Sequence, residues 1–201
     1  YPLTKLSKIT DIIVSTYQAL SGAGKKGIEE LESQIQIYSK DRQIKPDFFK
    51  SQCLNNVFSH DSPIDIFTGD NQEETKIINE TKKILENSEM NIVATCVRVP
   101  VIRAHCESIN ITFKDNIELS EIKNILGEFK GITIVDDRKN NIFPEPIKAS
   151  NQNDILVGRI RKHRKNNISL FISGDQLRKG VALNAIQIAE MITPKLQKNN
   201  N

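Results

Sequence analysis

Arg98 and His105 stand seven residues apart inside Asn91 to Phe113, NIVATCVRVPVIRAHCESINITF, the most strand-like stretch of the sequence. A guanidinium presents a rigid fork of donors that suits a carboxylate. An imidazole titrates near neutral pH and can move a proton. Placed across a strand, a loop and a second strand, the two can converge on one pocket. That pocket would bind an anionic substrate and transfer a proton. A lone histidine in an apolar run is more often a satisfied structural residue, so spacing alone leaves both roles open. Glu73 and Lys76 lie three apart on a helical pattern, hence on one face. They form either an exposed ion pair worth well under ~1 kcal/mol or a pair reaching into a site for an amine and an anion.

Other patterns say less. Ser21-Gly22-Ala23-Gly24 follows a strand pattern, and its glycines permit close backbone approach. Taken alone it is equally a tight strand-to-helix turn. Neither HExxH nor GxSxG occurs. Cys53, Cys96 and Cys106 are an odd count without CxxC spacing, which argues against a disulfide framework or a zinc site and for a reducing compartment. The basic run Arg159 to Lys165, RIRKHRK, could bind phosphates, but such runs are more often solvated loops. Aromatics are few and do not interleave with it, so no nucleic-acid partner is expected.

The elements that must position these residues follow from periodicity. Asp11 to Tyr17, DIIVSTY, is a buried strand, and Lys25 to Ile37 is a helix with Ile28, Leu31 and Ile35 on one side. Pro2 to Lys8 fits the last turns of a helix. Ser39 to Thr68 is a long irregular loop, of the kind that closes over substrates or forms interfaces. Asn71 to Asn87 is a helix with carboxylates in its first turn, and Leu119 to Glu128 is another. Ile132 to Val135 is a strand, and Pro144 and Pro146 interrupt a loop. Ile155 to Ile160 and Ile168 to Ile172 form a hairpin around the basic loop. A last helix starts at Gly180, carries a wide apolar stripe over Val181, Leu183, Ala185, Ile188, Ala189 and Ile192, and ends at Pro194. This order predicts an α+β fold, a mixed, largely antiparallel sheet with helices on one face. With 201 residues, 38% hydrophobic and 26% charged, the chain suffices for one domain or one domain plus an appendage. No apolar run approaches the ~20 residues of a membrane span, and no membrane association is expected.

STYQALSGAGKKGIEEL, ATCVRVPVIRAH and GDQLRKGVALNAIQIAE, in that order, resemble aspartate-β-semialdehyde dehydrogenase, above all its cyanobacterial or plastid-like and Gram-positive branch. The resemblance extends from about Tyr1 to Ile192. It implies a fold like the C-terminal domain of glyceraldehyde-3-phosphate dehydrogenase, with residues 1–178 as a catalytic and dimerisation domain. Residues 179–201 would be a helix that returns to pack on an NADP-binding domain, plus a frayed tail. The family reduces L-aspartyl 4-phosphate with NADPH to L-aspartate 4-semialdehyde, on the route to lysine, threonine and methionine. A cysteine forms a thioester as phosphate leaves, and hydride from the cofactor releases the aldehyde. The resemblance also implies a homodimer or homotetramer, located in the cytoplasm or, for an alga, the plastid stroma.

Residue by residue, the resemblance makes Gln18 the glutamine that orients the acyl intermediate. Arg98 becomes the fork on the substrate carboxylate, Glu73 the acceptor for its amino group, and Lys76 the phosphate-binding lysine. His105 becomes the general acid/base. Ser21, Gly22 and Gln176 become cofactor contacts. None of Cys53, Cys96 and Cys106 matches the family's nucleophile, which precedes Tyr1 together with the cofactor domain and a phosphate-binding arginine. The chain is therefore expected to be a fragment without turnover of its own. Two alternatives stay open: a degenerate dimerising protein, and a relative of N-acetyl-glutamyl-phosphate reductase, which should not need Glu73 for a free amine.

Overall fold

The structure, a computed structural model, describes residues 1–198, so Asn199 to Asn201 of the expected tail lie outside the described residues. Seven strands form one sheet in the order β2-β3-β1-β4-β7-β6-β5. They are β1 (Ile9–Gln18), β2 (Phe58–Ser59), β3 (Asn91–Arg98), β4 (His105–Phe113), β5 (Ile132–Ile134), β6 (Ile155–Arg164) and β7 (Asn167–Gly174). β1 pairs parallel with β3, and β5 with β6; the other pairings are antiparallel. The helices are α1 (Lys25–Tyr38), α2 (Gln72–Ile84), α3 (Leu119–Gly127), a single turn α4 (Pro146–Ala149) and α5 (Leu183–Lys198).

Period-two alternation separates the two faces of the sheet. The registers place Ile12, Ile92, Ile111 and Ile168 on the inner face. These pack with Val157, Ile122 and Leu126 of α3, and Ile78 of α2. At the C-terminal ends of β1 and β3 the same face changes chemistry. Gln18 lies opposite Arg98, and His105 opens β4 nearby. The outer face carries Ile13, Tyr17 and Val93, all exposed. No helix of the described residues is long and apolar enough to cross a membrane.

The expected elements are present, with four differences. The basic run is strand, not loop: β6 continues to Arg164 and pairs with β7 through Arg161, Lys162 and Arg164. β5 covers β6 only from Ile155 to Val157. Beyond that point β6 is an edge strand, where charged side chains stay hydrated. Arg159 takes a positive φ of 52° at the register shift and stacks over Phe143, with 4.9 Å to the ring centroid. Second, the Pro144–Pro146 loop contains α4, because Pro146 supplies the fixed φ that suits a first helical turn. Third, the first turns at Pro2–Lys5 are 3₁₀ rather than α. Fourth, the last helix begins with a π-helical turn over Arg178–Ala182 and runs past Pro194. Proline removes one backbone donor and crowds the carbonyl four residues back, so the helix continues past it at a local cost. Val181, Ile188 and Ile192 of the stripe are exposed, as are Ile186 and Met191.

Candidate active site

Two local devices bring the site together. The first is the backbone of Ala19, just past the end of β1. Its N–H donates to Nδ1 of His105 at 2.9 Å, and its carbonyl accepts from Nη1 of Arg98 at 3.2 Å. One fully buried peptide residue thus holds both chemical groups. The segment around it is fixed by Leu20 N–H to Val101 O and Ser21 N–H to Ile102 O. Ala104, immediately before His105, is left-handed at φ 72° with its methyl fully buried. This uncommon conformation for a non-glycine residue is held by tertiary packing and aims the histidine.

The second device is the N-terminus of α2. Asn71 and Glu74 form a reciprocal capping box. Glu74 also accepts the N–H of Cys96 in β3 at 2.8 Å. This pins the helix to the strand and places Glu73 where Gln18 Nε2 donates to its Oε1 at 3.3 Å. Glu74 is thus the structural carboxylate of the pair. Lys76 Nζ lies 3.5 Å from Glu73 Oε2, half exposed.

Arg98 is 4% exposed and donates from Nε to Asp61 Oδ1 at 2.8 Å. Burial pushes the Asp61 carboxyl up, but the hydrogen bond and charge of Arg98 outweigh it and hold it below its usual range. Beside it, the His60 ring accepts the Ser62 N–H at Nδ1, and Ser62 Oγ accepts the Glu73 N–H. Burial, then the charge of Arg98, lowers the pKa of His60. The His60-Asp61-Ser62 wall comes from the long loop after β2. Sequence reasoning assigned that loop a closing or interface role without naming these residues. Adjacent His and Asp were the signal available, but nothing in their spacing tied them to Arg98, 37 positions on.

Gly22 lies directly against both groups. A Cβ there would stand 2.9 Å from Arg98 Nη1 and 3.1 Å from His105 Cε1. Its missing side chain is therefore a requirement of the site itself. Gln176 Nε2 donates to Ser21 Oγ at 2.6 Å, and its Oε1 accepts the Ala104 N–H at 3.1 Å. Gln176 braces the turn that carries Ser21 against the turn that delivers His105.

The imidazole of His105 is neutral at pH 7. Burial first, then the charge of Arg98, lowers its pKa to about 4, against the opposing carboxylates of Glu73 and Asp175. A backbone N–H can only donate, so Nδ1 accepts and the neutral ring carries its proton on Nε2. Nε2 lies on the Gly22 side, 3.2 Å from the position of its hypothetical Cβ. The three cysteines are buried and free. Burial pushes the thiols of Cys53 and Cys96 up to about 11 and raises that of Cys106. None supplies a thiolate near neutral pH. No cluster of metal-ligating side chains occurs among the described residues.

The lowered histidine makes stability depend on pH. The unfolded chain protonates His105 near 6.5 and the folded chain only near 4. The folded state is therefore favoured fully above pH ~6.5 and loses that advantage as pH falls toward 4, by on the order of 3 kcal/mol. His60 acts in the same direction, and Glu107, raised by burial, acts in the opposite one. Urea midpoints between pH 7 and 4.5 should fall, and His105→Gln should flatten the slope. An unchanged slope would mean that His105 titrates normally.

The assembled groups are a buried guanidinium fork, a fixed neutral imidazole, a glutamine, two carboxylates and a lysine. They suit a small substrate bearing both charges, with a proton to move. Residues 1–179 match the family described as semialdehyde dehydrogenase, dimerisation domain. The aspartate-semialdehyde dehydrogenase of Prochlorococcus marinus is 45% identical over 195 residues, covering 95% of this chain and 56% of that protein. Aspartate semialdehyde dehydrogenase II from Vibrio cholerae superposes with a TM-score of 0.91 at 32% identity, covering 96% of this chain and 57% of that one. The same Vibrio protein complexed with ASA gives a TM-score of 0.90. The chain thus spans somewhat more than half the length of these relatives. With the motifs, the mixed sheet and the family match in agreement, the chain belongs to the semialdehyde dehydrogenase dimerisation-domain family.

Proposed function

We propose that this chain is the substrate-binding, proton-transferring and dimerising part of an NADP-dependent aspartate-semialdehyde dehydrogenase, acting on L-aspartyl 4-phosphate. The observation that carries the reading is the convergence of Arg98, His105 and Gln18 on one buried corner, joined through the Ala19 backbone. Arg98 keeps Nη2 and the second Nη1 hydrogen for a substrate α-carboxylate once its Nε has engaged Asp61 and its Nη1 the Ala19 carbonyl. Glu73 receives the α-ammonium, and Lys76 at the exposed side draws the leaving phosphate. Gln18 orients the acyl group. His105 Nε2–H is the proton held ready for the oxygen that becomes anionic during acyl transfer.

Ser21 and Gly22 are the proposed cofactor contacts: Gly22 is exposed beside His105, with the space of its missing side chain taken by Arg98 and His105. NADP would supply or accept the hydride when bound, and Gln176 would keep Ser21 in place for it. The nucleophilic thiol must come from outside the three buried cysteines, so the chain alone should not turn over. Residues 1–178 would form the catalytic and dimerisation unit. The exposed stripe of residues 179–201 would pack on a cofactor domain.

The outer sheet face fits a homodimer, itself able to pair into a tetramer. Ile13, Val93 and Tyr17 form an exposed apolar surface there. Replacing Ile13 and Val93 together by Glu should give a monomer in sedimentation analysis, with an unchanged far-ultraviolet circular dichroism spectrum. A persisting dimer would place the interface elsewhere.

Growth rescue tests the function. A hybrid gene would join the part of the Prochlorococcus relative that this chain does not span to residues 1–201. In a bacterium lacking the enzyme, it should restore growth without diaminopimelate, threonine and methionine. The chain alone should not. A folded hybrid that fails would favour the degenerate dimerising protein. One that reduces only the acetylated glutamyl substrate would favour the reductase.

A further inference from the structure

We propose that Asp61 is a specificity-determining residue that, together with Glu73, requires the substrate to carry a free α-ammonium group. This rests on the functional reading above and adds to it a residue from a different element.

The charges around Arg98 are mixed. Arg98 and Lys76 are each paired with a carboxylate, Asp61 at 2.8 Å and Glu73 at 3.5 Å. A pocket for a simple dianion gains nothing from two carboxylates, because each weakens the attraction. A pocket for an amino-acid head group needs that pattern, with one cation and one anion side by side. In an α-amino acid the carboxylate and the ammonium share one carbon. With the carboxylate on the Arg98 fork, the ammonium must lie within a few ångströms of it. Asp61 is the carboxylate already bonded to that guanidinium. Its Oδ1 takes the Arg98 Nε, and about a third of its side chain remains exposed. Glu73, three-quarters covered, accepts from Gln18, which is opposite Arg98 across the β1–β3 pairing. Two carboxylates thus flank the fork from separate elements, the loop after β2 and the first turn of α2. An N-acetylated substrate has no charge to offer either carboxylate, and so gains no attraction from them beyond the cations they already hold.

Asp61 also holds Arg98, so the test must separate the two roles. L-Aspartate and succinate differ only by the ammonium. Both would be titrated into the isotopically labelled chain, following the Arg98 Nε–H resonance. In Asp61→Asn the side-chain oxygen still accepts from Arg98 Nε, so the fork stays in place. L-Aspartate affinity should fall about 10-fold, as for loss of one charge-assisted bond, while succinate affinity stays constant or rises. Asp61→Glu should recover part of the loss for L-aspartate. Equal weakening of both ligands would show that Asp61 only positions Arg98, and would overturn the inference alone. So would unchanged affinity for both. A wild-type chain that binds neither dicarboxylate would overturn the functional reading, and the inference with it.

Discussion

Replacing His105 by Ala in the hybrid enzyme is expected to lower kcat by about 10²–10³-fold, the range for loss of a positioned proton-transfer group or oxyanion donor. KM for the semialdehyde should change less than ~3-fold. The reason lies in how the ring is held. The Ala19 N–H occupies Nδ1, so only Nε2 faces the site, and it carries the proton. A neutral ring contributes little to holding an anionic ground state. Its donor matters when negative charge develops, and that difference raises kcat rather than affinity. His105→Gln tests the same point more finely, because its side-chain amide can restore a donor but cannot accept and return a proton. A large KM effect with kcat preserved would reduce His105 to a binding residue.

The second large effect belongs to Arg98→Lys. The guanidinium makes two internal hydrogen bonds, to Asp61 and to Ala19 O, and still presents donors to a ligand. An ammonium cannot satisfy both partners and also offer a parallel pair to a carboxylate. KM for the semialdehyde should rise about 10–100-fold, corresponding to roughly 1.5–3 kcal/mol for charge-assisted bonds. KM for phosphate in the same direction of reaction should change less than ~3-fold, since that anion is assigned to Lys76. Equal loss for both substrates would mean that Arg98 supports the whole pocket rather than the carboxylate.

Much of this site was legible in the residues. Arg98 and His105 were conspicuous because charge in a β-branched run needs compensation. Glu73 and Lys76 followed from helical spacing. The strand and helix pattern fixed the fold class, since period-two and period-3.6 signals were strong in β1, β3, β4, α2 and α3. What was not legible has physical reasons. Ala19 acts through its backbone, which no side-chain pattern reveals. Asp61 comes to Arg98 through a long loop whose path depends on the Phe49, Cys53 and Leu20 cluster rather than on local preference. The basic run reads as a loop because charge suggests solvent. Yet an edge strand is solvated as well, and β6 becomes one when β5 ends. For Gly22 the resemblance implies a cofactor contact, whereas the geometry shows that it makes room for Arg98 and His105.

The most direct test is a spectrophotometric assay of the purified hybrid with L-aspartate 4-semialdehyde, phosphate and NADP. The site described here predicts NADPH formation that requires phosphate and is lost in His105→Ala. It also predicts that succinic semialdehyde, without the ammonium, is a far poorer substrate. A folded, dimeric hybrid that produces no phosphate-dependent NADPH, or whose activity survives His105→Ala, would contradict it.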